Sequence, residues 1–262
     1  MEKKTYAILT ASQKGGVGKS IVSLNIAAAL RLAGYDVLLM DTDVANPSIG
    51  PLLGMRDVGG GYTEIVKGKL KFEDAQVVSQ PAGFYVLPAG GNGEAQNFTN
   101  DDLNSFFAKA LKQNFDFIVI DTPPGAFMDG ILKNFNESLI ITTPEETSVY
   151  GAQRLSQTYN KYHLTHKLVI NRVREDKFEL DESRIEQLYG DIAYGMLPED
   201  RIVQESEVKH VPAYLLNRKS LFSLSIDYLC RPYMLKMQGS EEQQQPMPSG
   251  GLTDVKRFFG LK

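Results

Sequence analysis

Short apolar runs along this chain alternate with stretches in which apolar residues recur every three or four positions. The run "YAILTA" leads into a Gly-rich turn, and the next stretch, "SIVSLNIAAALRLA", has helical spacing and stops at Gly34. Apolar residues three and four apart share one helix face, whereas a short continuous run bounded by turns suits a strand buried on both faces. On this reading strands occupy residues 6–11, 36–40, 84–87, 117–120, 138–141, 167–170 and 193–196. Helices occupy 20–33, 101–113, 145–162, 181–189, 200–209 and 220–236, with Gly34 closing the first. Strands alternating with helices predict an α/β fold with a mainly parallel sheet flanked by helices.

The alternation stops near residue 235. "KMQGSEEQQQPMPSGG" carries almost no large apolar side chain, so it cannot bury enough surface to order itself and reads as a tether. The expected plan is a globular domain over 1–235, a linker over 236–251 and a terminal segment over 252–262. No internal repeat is visible.

Composition narrows the classes. The 262 residues are 42% hydrophobic, enough for a full core. A net charge of −4 weighs against nucleic acid as the main partner. The single cysteine, Cys230, excludes an internal disulfide and reads as a small buried apolar residue in a reducing, cytoplasmic setting. No apolar run reaches the ~18–20 residues of a membrane span. The apolar stretch before Gln13 is too short for a signal peptide. His163 and His166 have no third ligand beside them in the sequence, so no metal site is expected there.

The strongest chemical signal is "KGGVGKS", residues 14–20, between a predicted strand and a predicted helix. Gly15, Gly16, Val17 and Gly18 allow a loop whose N–H groups turn inward on phosphate oxygens. The helix that starts at Ser20 and Ile21 presents its positive end to the same point. Lys19 can reach the outer phosphates, and the Ser20 hydroxyl can ligate Mg²⁺.

The general phosphate loop opens on a glycine. Here Gln13 stands in that place and a second lysine, Lys14, opens the loop. This form resembles the deviant phosphate-loop motif of the MinD/ParA family of ATPases. The resemblance covers about residues 5 to 235 and implies the P-loop fold of that family, ATP and Mg²⁺ as ligands, and a homodimer formed with ATP. It makes Lys19 the lysine acting within its own site and Lys14 the lysine that crosses to the partner's nucleotide. "LLMDTD" is similar to the family's first acidic motif, which gives Asp43 the attacking water and Asp41 a supporting place in the metal shell. "FIVIDTPPG" is similar to its second switch, which puts Asp121 near Mg²⁺ through water. "VINRV" and "GMLPED" imply adenine contacts at Asn171 and Arg172 and at Pro198 and Asp200. Each Asp also has a bland use, since an Asp after a strand often caps a helix or forms a turn.

The segment after the acidic motif departs from typical members. "DTDVANPSIGPLLGM", with Asn46-Pro47-Ser48, looks closer to iron–sulfur carrier relatives, but a single cysteine cannot supply their paired thiolates.

The last residues, "GGLTDVKRFFGLK", raise a separate possibility. Leu252, Val255, Phe258 and Phe259 fall within an arc of about 120° on a helix, beside the basic Lys256 and Arg257. Apolar insertion with attraction to anionic lipid is what a surface-lying membrane helix needs. The segment also resembles the membrane-targeting tail of MinD proteins. Docking on the chain's own core, a partner groove and disorder are the competing uses.

The leading reading is therefore a MinD-like ATPase, slow and stimulated by an activating protein partner, that cycles on and off an anionic membrane surface and positions a cellular assembly. The alternatives are a ParA-like DNA partition ATPase, a metal- or cofactor-insertion ATPase, and a ligase of the dethiobiotin synthetase kind.

Overall fold

The computed structural model describes residues 5–55, 59–79, 82–91, 98–125, 129–174, 179 and 194–239. Among these residues the strands are β1 (Tyr6–Ala11), β2 (Val37–Asp41), β3 (Val77–Val78), β4 (Tyr85–Leu87), β5 (Phe117–Asp121), β6 (Glu137–Thr142), β7 (His166–Val173) and β8 (Tyr194–Pro198). The helices are α1 (Lys19–Leu32), α2 (Ile49–Leu52), α3 (Tyr62–Val66), α4 (Asn100–Ala110), α5 (Glu146–Lys161), α6 (Arg201–Lys209), α7 (Ala213–Leu216) and α8 (Leu221–Met237), with a 3-10 helix at Asp129–Asn134.

The strands form one sheet in the order β3-β4-β2-β5-β1-β6-β7-β8. Among the described residues only the β3–β4 pair is antiparallel. The expected mainly parallel sheet is therefore present. Alternate residues of each strand feed opposite faces. Leu9, Leu38, Ile118, Ile140 and Ile170 join one core, on the side of α4 and α5. Ile8, Leu39, Val119, Leu139 and Val169 join the other, under α1 and α8. Burial on both faces explains why these strands read as continuous apolar runs.

The predicted long elements match, with ends shifted by a few residues. Helix α4 shows why: Thr99 Oγ1 accepts the Asp102 N–H (3.2 Å) and the Asp102 carboxylate accepts the Thr99 N–H (3.0 Å), so the box sets the start. Elements of two to six residues, α2, α3, β3, α7 and the 3-10 helix, were not expected. They are too short for a periodic signal, and contacts distant in sequence hold them. Cys230 is buried, as expected, and burial raises its thiol pKa. The predicted helix 181–189, the linker beyond 239 and the terminal segment lie outside the described residues.

A buried acid sits at the N-terminal end of the sheet. Glu137, at the start of β6, is fully buried. Its Oε1 accepts from Tyr233 (2.9 Å) and pairs with Lys167 (3.0 Å), and its Oε2 accepts from Tyr6 (3.2 Å) and Lys236 (3.4 Å). Both oxygens are engaged, and the cluster ties α8 to β1, β6 and β7.

Candidate nucleotide-binding site

The loop between β1 and α1 bends through two glycines in the left-handed region, Gly16 at φ 78° and Gly18 at φ 88°. Other residues pay a steric penalty there. A Cβ on Gly18 would also collide with the Asn171 amide. Lys14, Gly15 and Gly16 are exposed, Val17 and Ile21 are buried, and Ser20 is half-buried in the first turn of α1. Among the described residues Lys14 makes no ion pair, whereas Lys19 is buried in one.

Three strand exits meet beside this loop. Asp41 and Asp121 end β2 and β5 as register partners. Thr42 Oγ1 donates to Asp121 O (2.8 Å), Thr122 Oγ1 to Thr10 O (2.9 Å), and Gly125 N–H to Ser12 O (2.8 Å). These bonds set the spacing of the acids. Lys19 Nζ lies 2.8 Å from Asp121 Oδ1, and Ser23 Oγ donates to the same oxygen (3.2 Å). Among the described residues Asp121 Oδ2 is buried with no hydrogen-bond partner. A buried carboxylate oxygen without a donor is costly, so its presence asks for a function.

Asp41 behaves differently. Its carboxylate accepts the N–H groups of Asp43 (3.0 Å), Ser48 (2.9 Å) and Ile49 (3.0 Å). Burial, and then the Asp121 charge, raise its pKa to about 7, against the pull of those three bonds. Asp43 is also buried, and its Oδ1 accepts the Asn46 N–H (3.0 Å).

The residues expected to read the base come together. Gly18, Ile21, Asn171, Arg172, Pro198 and Asp200 all line one cleft of about 240 Å³. Asn171 Nδ2 donates to Val17 O (2.8 Å), which leaves Oδ1 as its acceptor. Arg172 has φ 61° beside the irregularity where β7 pairs with β8. Asp200 lies in the wall, but its oxygens accept the backbone N–H groups of Ile202 (3.0 Å) and Phe222 (3.4 Å), so it caps α6. Glu199, Glu207 and Phe222 complete the wall and were not singled out from sequence. The 203, 204 and 207 spacing on α6 is the pattern that could have found that face. Leu252, Val255, Lys256, Arg257, Phe258 and Phe259 lie outside the described residues.

The ParA family model, described as an NUBPL iron-transfer P-loop NTPase, matches residues 3–175. The chain belongs to the ParA family of P-loop NTPases. The septum site-determining protein MinD of Bacillus subtilis is 25% identical over 272 residues, covering 98% of this chain and 98% of its own. An uncharacterised ATP-binding protein of Methanocaldococcus jannaschii is 30% identical over 208 residues, covering 78% of this chain and 79% of its own. Among solved structures, MinD of Pyrococcus horikoshii, complexed with Mg-ADP, has a TM-score of 0.78 at 24% identity, covering 92% of this chain and 100% of its own. That likeness is one of fold.

Family membership implies a nucleotide and Mg²⁺. A hard divalent cation takes oxygen ligands. Ser20, Asp43 and Asp121 supply oxygen donors, and the partnerless Asp121 Oδ2 is the atom such a shell would engage. The residues present fit the ion.

Proposed function

We propose that this ParA-family chain is a MinD-like ATPase. It binds Mg·ATP, pairs with a second copy, and attaches reversibly to an anionic membrane surface through residues 252–262. The observation that carries the reading is the buried Lys19–Asp121 pair, engaged on Oδ1 only, beside the glycine loop. The chain divides as 1–235 for the ATPase domain, 236–251 for the linker and 252–262 for the membrane segment.

Each residue has a task. The N–H groups of residues 15–20 and the end of α1 hold the phosphates. Lys19 turns from Asp121 to the outer phosphates, and Lys14, exposed and without an ion pair among the described residues, serves the partner's nucleotide. Phosphoryl transfer asks for charge neutralisation and alignment rather than covalent help. Ser20 and Asp121 would hold Mg²⁺, which would supply charge neutralisation at the phosphates. Asp43 aligns the attacking water. Asn171 lines the cleft with its Nδ2 committed to Val17 O, and the acceptor left to it, Oδ1, would suit the amino group of adenine and repel the carbonyl of guanine. Turnover is slow until a partner protein completes the site.

One tail is too weak to hold a membrane. Four apolar side chains contribute at most ~6–12 kcal/mol, and ordering some ten residues costs ~10 kcal/mol or more. Two tails on one dimer gain avidity of roughly 10² to 10⁴. The family description's iron-transfer term finds no thiolate pair here, because the one cysteine is buried.

Co-sedimentation with anionic vesicles tests the reading, using the full chain, Lys14→Ala and a truncation after Ser249. The full chain should pellet with Mg·ATP and about 10²-fold less with Mg·ADP. Lys14→Ala should neither dimerise nor pellet. ATP-dependent pelleting that survives truncation removes the tail, a Lys14→Ala protein that still dimerises removes the trans lysine, and DNA binding without lipid binding replaces the reading with DNA partition.

A further inference from the structure

Helix α3 docks its first turn on the exit of β4. Tyr62 N–H donates to Pro88 O (2.8 Å). Thr63 donates to Ala89 O through its N–H (3.0 Å) and its hydroxyl (2.7 Å). Glu64 closes the junction. Its Oε2 accepts the Gly61 N–H (2.8 Å) and its Oε1 accepts the Gly91 N–H (3.1 Å). One carboxylate thus joins a helix cap to a loop 27 residues away. Hydrogen bonds to an ionised acceptor are the stronger kind. Gly90 and Gly91 both have φ 68°, so the loop reaches Glu64 only with glycine at these positions.

This clasp bears on the nucleotide site. A Cβ on Gly91 would lie 3.4 Å from Val44 Cγ1 and 3.4 Å from Thr63 Oγ1. Val44 is buried and directly follows Asp43. Asp43 is fastened locally by its N–H to Asp41 Oδ1 (3.0 Å) and by the Asn46 N–H to its Oδ1 (3.0 Å). Both bonds stay within the same turn. Against other parts of the molecule the turn is held on one side by Thr42, whose N–H (2.9 Å) and hydroxyl (2.8 Å) donate to Asp121 O, and on the other by Val44, which lies in one core with Tyr62 and Ala89 at the junction that Glu64 closes.

We propose that Glu64 is a positioning residue for Asp43. It holds Gly91 against Val44 and so fixes the carboxylate that aligns the attacking water. The inference rests on the ATPase reading above. A displacement near 1 Å can slow an aligned reaction by ~10²-fold, so a loosened clasp should reach the rate while leaving nucleotide affinity intact.

The full chain with Glu64→Gln tests this. The change keeps the size but replaces one acceptor oxygen with an amide that cannot accept an N–H. Two quantities are read: Mg·ATP turnover resolved into kcat and KM, and amide exchange at Asn46 and Ser48. The expected result is a roughly tenfold lower kcat, a KM within about twofold, and roughly tenfold faster exchange at both amides, with one cooperative melting transition. Gly91→Ala, which strains the loop at its φ of 68°, should give the same pattern and replaces Glu64→Gln if that variant does not fold. Unchanged kcat and exchange in a folded variant would overturn the inference. So would a kcat loss equal to the loss of folded protein, which would make Glu64 structural only. A wild type that turns over no ATP would remove the ATPase reading alone, and exchange at Asn46 would still decide whether the clasp restrains the turn.

Discussion

At one end of the sheet Glu137 has donors on both carboxylate oxygens; at the other, Asp121 has them on one. The two acids are equally buried, on strands separated only by β1. Glu137 is held by Tyr6, Lys167, Tyr233 and Lys236, and the arrangement is closed. Asp121 is held on Oδ1 by Lys19, Ser23 and, at 3.5 Å, Thr10, and Lys19 comes from the loop that would receive phosphate. A satisfied buried charge holds elements together, whereas a half-satisfied one retains free energy for a ligand to release. The contrast separates the part of the molecule that maintains the fold from the part to which the proposed chemistry belongs.

That contrast can be broken from either end. The largest effect is expected from Asp43→Asn, which keeps the oxygen that accepts from Asn46 but removes the charge. Phosphate release from Mg·ATP should fall by ~10²–10⁴-fold while the melting temperature stays within a few degrees. A comparable loss of stability would mean that the C-terminal end is structural too. Next comes Glu137→Gln, which leaves Lys167 and Lys236 without a counter-charge. Urea unfolding should show a loss of about 3 kcal/mol, with the nucleotide affinity of the folded fraction unchanged.

The third effect is a pH dependence. Asp41 has its pKa raised to about 7 from 3.8, first by burial and then by Asp121. The folded chain then keeps a proton that the unfolded chain has lost over the window from about pH 4 to about pH 7. Stability should fall as pH rises through that window, by up to ~1.4 kcal/mol per pH unit from this group. Denaturant titrations without nucleotide or Mg²⁺ should show the slope in wild type and its loss in Asp41→Asn. The smallest effect sharpens the comparison as a control. Thr99→Ala removes a helix cap remote from both acids and should cost about 1 kcal/mol in the same titrations, without changing turnover per folded molecule.

Much of this was legible in the sequence, and what was not has physical causes. The strands and α1 announced themselves because burial on both faces demands unbroken apolar runs. Lys19 and Ser20 announced themselves because a glycine loop between strand and helix has few other uses. α2 and α3 were silent because they are too short to show a period and their starts depend on partners outside themselves: Ile49 N–H needs Asp41, and Tyr62 N–H needs Pro88 O. Asp200 was legible as an acid in the right place, but only the structure shows both oxygens turned to backbone N–H groups. Glu137 stands just before an apolar run with nothing local to mark it, since its four donors come from β1, β7 and α8. The one-sidedness of Asp121 belongs to no local pattern, because it is a property of which donors fail to arrive.

The central claim is that Asp121 Oδ2 is kept free for the metal shell of a bound nucleotide. Calorimetric titration of ATP with and without Mg²⁺, into wild type and Asp121→Asn, tests it most directly. Wild type should bind ATP more tightly with Mg²⁺. Asp121→Asn should lose that increment and retain, or improve, its Mg²⁺-free affinity, because Lys19 is no longer drawn to a carboxylate. An Asp121→Asn protein with the wild-type Mg²⁺ increment would contradict the account.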